Sequence, residues 1–261
     1  MRVAFVGKGG AGKSAIAGTF ARVLARKGLP VLALDSDPLP GLAFSLGLDR
    51  SDHGIPDDAV VERAEGEEGP RFRLRPGLSG AEAVDLYAAT APDGVRFLQF
   101  GKPRGRQGEF FRSQHAFLQI LKDLPHTDWN VVGDLPGGTR QAFYGWGDFA
   151  ETILIVSEPT AKALLSARRL AKLSAREGTR NIVALASKVA RDEPEQGEDV
   201  VMVGRRTGLE VVGWVPWDEE LAAAERRGEA PIDGAPNSAA VAAVTALAER
   251  LVADSASQAL G

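Results

Sequence analysis

The sequence predicts one α/β domain built on a doubly wound, mainly parallel sheet with helices on both faces. The first observation is a series of short apolar runs, most of them continuous rather than alternating, which is typical of strands buried on both faces. The second is that helical stretches lie between several of these runs, as in successive strand–helix–strand units. The runs are residues 3–6, 31–34, 95–100, 131–134, 153–156, 182–186 and 211–215.

Three helices follow from residue spacing. In residues 14–27, Ile16, Phe20, Val23 and Leu24 form one apolar stripe, and Gly28 is the residue type expected just past a helix end. Residues 160–176 and 238–252 are rich in alanine and leucine at the same spacing. Because strand–helix–strand crossovers are right-handed, the carboxyl ends of the parallel strands should meet at one edge of the sheet.

Three polar segments are expected to leave this domain as solvated excursions: residues 49–69, 71–75 and 191–199. In the second of them Phe72 and Leu74 alternate with arginines, which predicts a half-exposed edge strand. We therefore expect one domain over residues 1–252, with a peripheral, variable part at 49–94 and a flexible tail at 253–261.

Composition excludes several classes of protein. Of the 261 residues 44% are hydrophobic, enough for a sizeable core, and the formal net charge is −4. A negative net charge and arginines that are scattered in sequence argue against a protein that binds nucleic acid through a basic surface. Cysteine is absent, which excludes disulfides and thiolate metal sites and is typical of a cytoplasmic protein. No apolar run approaches the roughly 18 residues of a membrane span, so no membrane partner is expected.

A glycine-rich loop follows the first apolar run. Residues 7–14, GKGGAGKS, match G-x-x-x-x-G-K-[ST] between a strand and a helix, the setting that a phosphate-binding loop needs. The glycines let successive backbone N–H groups turn toward an anion, Lys13 can reach the β- and γ-phosphates, and the Ser14 hydroxyl can ligate Mg²⁺. The residues assigned to phosphate binding are Gly9, Gly10, Ala11, Gly12, Lys13, Ser14 and Ala15.

The same glycines allow a second interpretation. Gly7, Gly9 and Gly12 also spell G-x-G-x-x-G, and Asp35 ends the next predicted strand, where a dinucleotide-binding fold holds a ribose-binding carboxylate. This nicotinamide- or flavin-binding alternative gives no role to the Lys-Ser pair that follows the glycines, so the phosphate-loop interpretation is preferred.

Residues 8–14, KGGAGKS, resemble the deviant loop K-G-G-x-G-K-[ST] of the MinD/ParA/nitrogenase-iron-protein class of P-loop ATPases. The resemblance implies slow hydrolysis of Mg-ATP to ADP by a homodimer that sandwiches two nucleotides. It also implies that Lys8 reaches the partner subunit's ATP, where its charge would stabilise the transition state as an arginine finger does.

Two strand ends supply carboxylates that fit this class. Residues 35–38, DSDP, resemble its D-x-D-P switch, which implies that Asp37 positions the attacking water and belongs to the Mg²⁺ site, with Asp35 as an outer contact. Residues 131–138, VVGDLPGG, resemble its Walker B strand and second switch. That resemblance implies that Asp134 holds Mg²⁺ through water and that a backbone N–H near Gly137 senses the γ-phosphate. A plain strand-to-loop turn is the structural alternative at both places.

The resemblance continues toward the C-terminus. Residues 157–160, SEPT, and 210–218, EVVGWVPWD, are similar to the T-x-P-x and G-x-I-P-x-D segments of the class. The second of these packs on the base in the class, so Pro216 and Trp217 are expected to cover it. Ser187 and Lys188 stand where many relatives have a base-binding asparagine, which leaves the choice between adenine and guanine open.

Within this class, residues 46–48 and 93–101 look most like the nickel-insertion ATPases of carbon monoxide dehydrogenase maturation. That branch binds metal through a C-x-C pair, whereas this chain has no cysteine. The resemblance thus implies an ATP-driven switch that matures or regulates an unidentified protein client, without a thiolate metal site. Two alternatives stay open: a nucleotide-binding regulatory or scaffold module with little turnover, and a ParA- or MinD-like positioning ATPase.

Overall fold

The computed structural model describes residues 1–37, 41–49, 54–100, 107–125, 128–136, 145–174, 181–190 and 197–258. Its strands are β1 (Arg2–Gly7), β2 (Val31–Asp35), β3 (Val60–Glu62), β4 (Phe72–Leu74), β5 (Ala89–Thr90), β6 (Arg96–Gln99), β7 (Asn130–Asp134), β8 (Thr152–Ser157), β9 (Asn181–Val189) and β10 (Val211–Pro216). The main sheet has the order β10-β9-β8-β1-β7-β2-β6-β5, and within the described residues only the β5–β6 pair is antiparallel. The predicted mainly parallel sheet is confirmed, and each of the seven apolar runs overlaps one of its strands.

Helices cover both faces of this sheet. They are α1 (Lys13–Arg26), α2 (Leu42–Ser45), α3 (Gly80–Tyr87), α4 (Gln107–Asp123), α5 (Ala161–Ser174), α6 (Glu198–Thr207), α7 (Glu219–Arg226), α8 (Pro231–Gly234) and α9 (Ala239–Gln258). One buried apolar cluster joins α1, α2, α8 and α9 to one face, and a second joins α3, α4 and α5 to the other. A third, smaller cluster lies between α5, α6 and β9. Alternate residues of the strands enter different clusters, as the doubly wound arrangement requires.

The first helix forms as its apolar stripe predicts. Ile16, Phe20, Val23 and Leu24 are all buried, and the Phe20 ring packs edge-on against Phe5 with ring centroids 5.4 Å apart. The helix ends at Arg26, and Gly28 follows with φ +79°, a left-handed conformation that glycine adopts without steric cost.

A close contact positions α2 beside α1. A Cβ atom on Gly18 of α1 would lie 2.5 Å from the Cβ of Ser45. The two helices approach so closely there that glycine is the residue that fits. The segment after β2 also reaches the first turn of α1, where the phosphate loop ends, since a Cβ on Gly41 would lie 3.4 Å from the Ser14 hydroxyl.

The peripheral segments are more buried than expected. β3 and β4 form a separate antiparallel hairpin, so residues 71–75 are not an edge of the main sheet, and Phe72 and Leu74 are buried in the cluster around α4. The expectation of a solvated excursion is therefore wrong for the apolar residues of this part, although residues 65–69 are exposed. Residues 191–196 lie outside the described residues, and α6 begins at Glu198.

The last helix runs to Gln258 and so passes the expected boundary at residue 252. In the described part of the chain, no helix has both the length and the apolar character that crossing a bilayer demands.

Candidate active site

The loop between β1 and α1 is shaped by its glycines. Gly10 and Gly12 adopt left-handed conformations with φ +86° and +85°, and a Cβ on Gly7 would lie 2.3 Å from the carbonyl oxygen of Val156. Gly12 is the N-cap of α1, no side chain caps this end, and no acidic residue occupies the first turn. The first backbone N–H groups of a 14-residue helix are therefore available to an anion.

Two buried carboxylates face the first turn of α1. Asp35 and Asp134 end neighbouring strands and are in register across the β2–β7 pair. The Ser14 hydroxyl donates a hydrogen bond to Oδ2 of Asp134. The other oxygen, Oδ1, is buried and has no hydrogen-bond partner among the described residues.

The electrostatics of this pair follow from burial. Burial and the neighbouring Asp134 raise the pKa of Asp35 to about 7. Burial also raises the pKa of Asp134 to about 6, although the Lys13 ammonium and the Ser14 hydroxyl favour its charged form. Asp37 lies close enough to raise the pKa of both carboxyls. A site with this much buried negative charge favours a cation.

These donors fit Mg²⁺. Magnesium takes oxygen ligands and keeps several of its waters, so it is usually bound through one or two carboxylates together with substrate phosphates. The orphaned Oδ1 of Asp134 is an acceptor for such a water, and the Ser14 hydroxyl lies beside it. Among the described residues, this site included, no group of three or more acidic or histidine side chains has the geometry of a metal site, so a cation here would also need ligands from phosphate and water.

Asp35 holds the segment that follows β2. Its Oδ1 accepts from the backbone N–H of Asp37 at 3.0 Å. Its Oδ2 accepts from those of Gly41 and Leu42 at 3.1 and 3.0 Å. Asp35 thus fixes both Asp37 and the start of α2 beside the phosphate loop. These contacts give Asp35 a positioning role, and its direct contact with nucleotide stays a prediction.

A cavity of about 340 Å³ opens beside the phosphate loop. That volume lies in the range of small-molecule pockets. Nine predicted residues line it together: Gly10, Gly12, Lys13, Ser14, Ala15, Ser187, Lys188, Pro216 and Trp217. The loop after β1 is therefore brought against the carboxyl ends of β9 and β10, which are far from it in sequence.

The end of β9 is tied to the phosphate loop by two hydrogen bonds. The Ser187 hydroxyl donates to the carbonyl of Ala11 at 2.9 Å, and the Lys188 ammonium donates to that of Gly10 at 2.5 Å. Lys188 has φ +56°, pairs with Glu158 at 3.0 Å, and lies 5.5 Å from the centre of the Trp217 ring. It therefore connects three loops around the cavity.

Sequence reasoning missed one wall of the cavity, which α7 provides through Leu221, Ala222 and Glu225. A signal for this helix is present in the sequence. Asp218 precedes two glutamates and a run of alanines, the pattern of an N-cap. In the structure Asp218 accepts from the N–H groups of Glu220 and Leu221, which starts α7 at the cavity.

Three predicted residues fall outside these contacts. Lys8 is half-buried, and its ammonium makes no hydrogen bond or ion pair with the described residues. Gly9 is exposed, with open space where a side chain would lie. Gly137 is outside the described residues.

The comparisons with known proteins agree with this geometry. The family model described as the CobQ/CobB/MinD/ParA nucleotide binding domain matches residues 3–232. An uncharacterized ATP-binding protein of Methanocaldococcus jannaschii is 29% identical, over 88% of this chain and 90% of the relative. The carbon monoxide dehydrogenase accessory protein CooC of Rhodospirillum rubrum is 28% identical, over 96% and 97%.

The fold has solved counterparts. The septum site-determining protein MinD of Pyrococcus horikoshii, solved with Mg-ADP, superposes with a TM-score of 0.72 over 96% of this chain and 95% of that one, at 16% identity. At that identity the likeness concerns the fold, and it matches the sheet and helix arrangement described above.

Proposed function

Because the chain belongs to the CobQ/CobB/MinD/ParA nucleotide-binding domain family, we propose that it is a Mg-ATP-dependent ATPase switch. In this proposal it dimerises around two nucleotides and matures or regulates a client protein. In this proposal the catalytic domain extends to Gln258, where its last helix ends.

One observation carries the proposal: the orphaned, buried Oδ1 of Asp134 beside the Ser14 hydroxyl and the open N-terminus of α1. An unpaired buried oxygen is unfavourable, by roughly 1–3 kcal/mol, until something satisfies it. A helix N-terminus without a capping side chain is likewise completed by an anion. A phosphate and a hydrated cation together satisfy both, which is the composition of Mg-ATP.

The chain's own residues bind and orient the phosphates. The N–H groups of residues 9–15 cradle them, and Lys13 neutralises charge on the β- and γ-phosphates. Ser14, Asp134 and Asp37 would hold Mg²⁺, which would neutralise further charge that develops on transfer.

Asp37 positions the attacking water. Asp35 accepts from its backbone N–H at 3.0 Å, so a buried group fixes the main chain that carries this carboxylate at the rim of the site. A carboxylate held in this way orients water toward the γ-phosphate at little further cost in entropy. Asp37 is in this account the residue on which turnover depends.

Lys8 acts across the dimer. Its half-buried ammonium has no partner in the described part of its own chain, whereas Lys13 lies beside Asp134. A cation left available at the mouth of the site is suited to the partner subunit's γ-phosphate, where it stabilises transition-state charge. Family membership supports this role, since Lys8 is the residue that distinguishes its loop.

The base enters the cavity between the phosphate loop and α7. Pro216 and Trp217 line its outer part, and the Trp217 side chain is 46% exposed and so open to a ligand. Lys188 and Ser187 fix the inner wall through their bonds to the loop carbonyls. ATP is assigned from the family, and the described contacts do not select between purines.

The test is turnover at saturating Mg-ATP by the wild type and by Asp37→Asn. We expect the variant to lose about 100-fold or more in rate, in the range of a general-base contribution, while nucleotide affinity changes little. Asp85→Asn, an exposed carboxylate on α3, is the matched control and should retain the wild-type rate. Wild-type turnover no faster than that of Asp37→Asn would contradict the proposal and favour a binding or scaffold module.

A further inference from the structure

A second cavity, also of about 340 Å³, lies between α5 and α6. Its lining residues are Ala161, Leu164, Leu165, Arg168, Met202 and Arg206. Leu164 is buried in the third apolar cluster, so the floor of this groove is continuous with the core. Leu165, by contrast, is 51% exposed at its edge, which is unusual for a side chain of this size.

The rim of the groove is basic. Arg168 and Arg206 are exposed, and neither forms an ion pair with a described residue. They lie far apart in sequence, and only the packing of α5 against α6 brings them to one cavity. The net charge of the chain is −4, whereas this apolar groove carries two arginines that pair with no described carboxylate. The groove is therefore locally basic on an acidic protein.

We propose that this groove docks an acidic, amphipathic segment of the client protein. Apolar side chains of that segment pack on Leu164, Leu165 and Met202, while its carboxylates meet Arg168 and Arg206. An arginine fork recognises carboxylates with two parallel hydrogen bonds, which adds specificity to the apolar contact. The inference rests on the proposed function in one respect, that a client protein exists.

The apolar floor favours a protein segment over a nucleic acid. Non-specific binding of nucleic acid depends mainly on contacts between cationic side chains and phosphates. An exposed leucine above a buried apolar floor contributes nothing to such contacts. A helix laid in a groove uses both features at once, because its apolar stripe and its charged flanks face the same surface.

A short path joins the groove to the nucleotide cavity. Ala161, at the start of α5, lines the groove and lies three residues after Glu158. Glu158 pairs with Lys188 at 3.0 Å, and Lys188 donates to the carbonyl of Gly10 in the phosphate loop. A docked client therefore lies close to residues whose positions depend on the phosphate loop.

The experiment measures fluorescence anisotropy with the full chain and a labelled synthetic peptide of about 14 residues, roughly four helical turns. The peptide carries leucine at helical spacing and glutamate elsewhere, and a second peptide has lysine in place of glutamate. We expect the glutamate peptide alone to bind at about 0.15 M salt, where distant charges are screened.

Charge reversals on the same two helices provide the matched control. R168E/R206E should weaken peptide binding by about 10-fold or more, whereas R169E/R205E, which changes charge equally outside the groove lining, should weaken it by about 3-fold or less. Leu165→Ser should weaken it by about 5-fold, and Leu86→Ser, an exposed leucine on α3, should leave it unchanged.

Several results would overturn the inference. The first is that the glutamate peptide does not bind, and the second is that both charge reversals weaken its binding equally. The third is that the chain binds duplex DNA and that R168E/R206E, but not R169E/R205E, abolishes this binding. That result would assign the groove to nucleic acid. A nucleotide-independent dimer that Leu165→Ser dissociates would assign it to a second copy of the chain. ATP turnover is measured in the wild type and in every variant, which separates the two proposals. If the wild type binds the peptide but does not hydrolyse ATP, the proposed function is contradicted and the docking groove is still supported.

Discussion

Asp134 presents two oxygens with different surroundings. Oδ2 accepts from the Ser14 hydroxyl, whereas Oδ1 is buried without a hydrogen-bond partner among the described residues. Lys13 and Ser14 favour the charged form of this carboxyl, and burial opposes it. A hydrated cation between Asp134 and a phosphate resolves that conflict, because it supplies both a donor for Oδ1 and compensating charge.

Replacing this carboxylate tests the metal assignment. In Asp134→Asn, the extent to which Mg²⁺ tightens ATP binding should fall by about 10- to 100-fold, the usual effect of losing a group that holds a metal through water. Calorimetric titration of ATP with and without Mg²⁺ measures this. Ser36→Ala is the control, since among the described residues the Ser36 hydroxyl donates to the Asp134 backbone carbonyl, at 3.3 Å, and not to its carboxylate. An unchanged Mg²⁺ dependence in Asp134→Asn would remove Asp134 from the site.

Asp93 carries a second residue-level prediction, on pH. Burial opposes its charge, yet hydrogen bonds from Arg22 and Arg26 lower its pKa overall. A carboxyl with a lower pKa in the folded state stabilises the fold above its unfolded pKa of about 3.9, and that stabilisation is lost as the pH falls through the folded value. Urea unfolding below about pH 4 should therefore show a steeper loss of stability in the wild type than in Asp93→Asn. Parallel pH profiles would contradict the ion pairing.

At the scale of elements, the sequence predicted the strands better than the helices. Continuous apolar runs mark buried parallel strands directly, and all seven runs overlap strands of the main sheet. α7 is a short helix whose apolar residues are one leucine and three alanines, so its cavity-lining face leaves a weak periodic signal. The strand predicted at residues 71–75 is confirmed as β4, but its burial was not expected, because alternation shows that one face is buried and not which element buries it.

The candidate site, too, could be predicted from the sequence only in part. The phosphate loop and the carboxylates at strand ends were predictable because their residue types and spacing reflect local geometry. The wall formed by Leu221, Ala222 and Glu225 was not, because it depends on the tertiary placement of α7 across the cavity from the loop after β1. The link from Lys188 to Gly10 joins residues 178 positions apart, a separation that local patterns do not report.

One buried arginine side chain, that of Arg22, links the elements that surround α1. Arg22 is 2% exposed and bonds Asp93 before β6, Asp233 of α8, and the Leu46 carbonyl after α2. Arg26 bonds the same two carboxylates, but it is 43% exposed. These two arginines therefore form a matched pair that differs mainly in burial.

We expect Arg22→Met to lower the free energy of unfolding by about 3 kcal/mol or more, because it leaves several polar groups of a partly buried network unpaired. Arg26→Met should lower it by less than about 1 kcal/mol, as exposed ion pairs do. Urea denaturation of both variants measures the difference. Equal losses would show that burial of Arg22 does not set the strength of this network.

At the scale of the whole molecule, the doubly wound sheet gathers the functional groups at one edge. The carboxyl ends of β1, β2, β7, β9 and β10 bring together the glycine-rich loop, both buried carboxylates and the cavity beside them. Lys8 lies at this same edge without a partner in the described part of its own chain. The edge is therefore the surface on which a second subunit would complete the site.

The most direct test of this account is the molar mass in solution by light scattering, first with Mg-ATP and then with Mg-ADP. We expect a dimer with Mg-ATP and a monomer with Mg-ADP, and we expect Lys8→Ala to bind ATP as a monomer but to dimerise weakly. The same mass in both nucleotide states, or equal dimerisation of Lys8→Ala and the wild type, would contradict the nucleotide-driven dimer and the role of Lys8 across it.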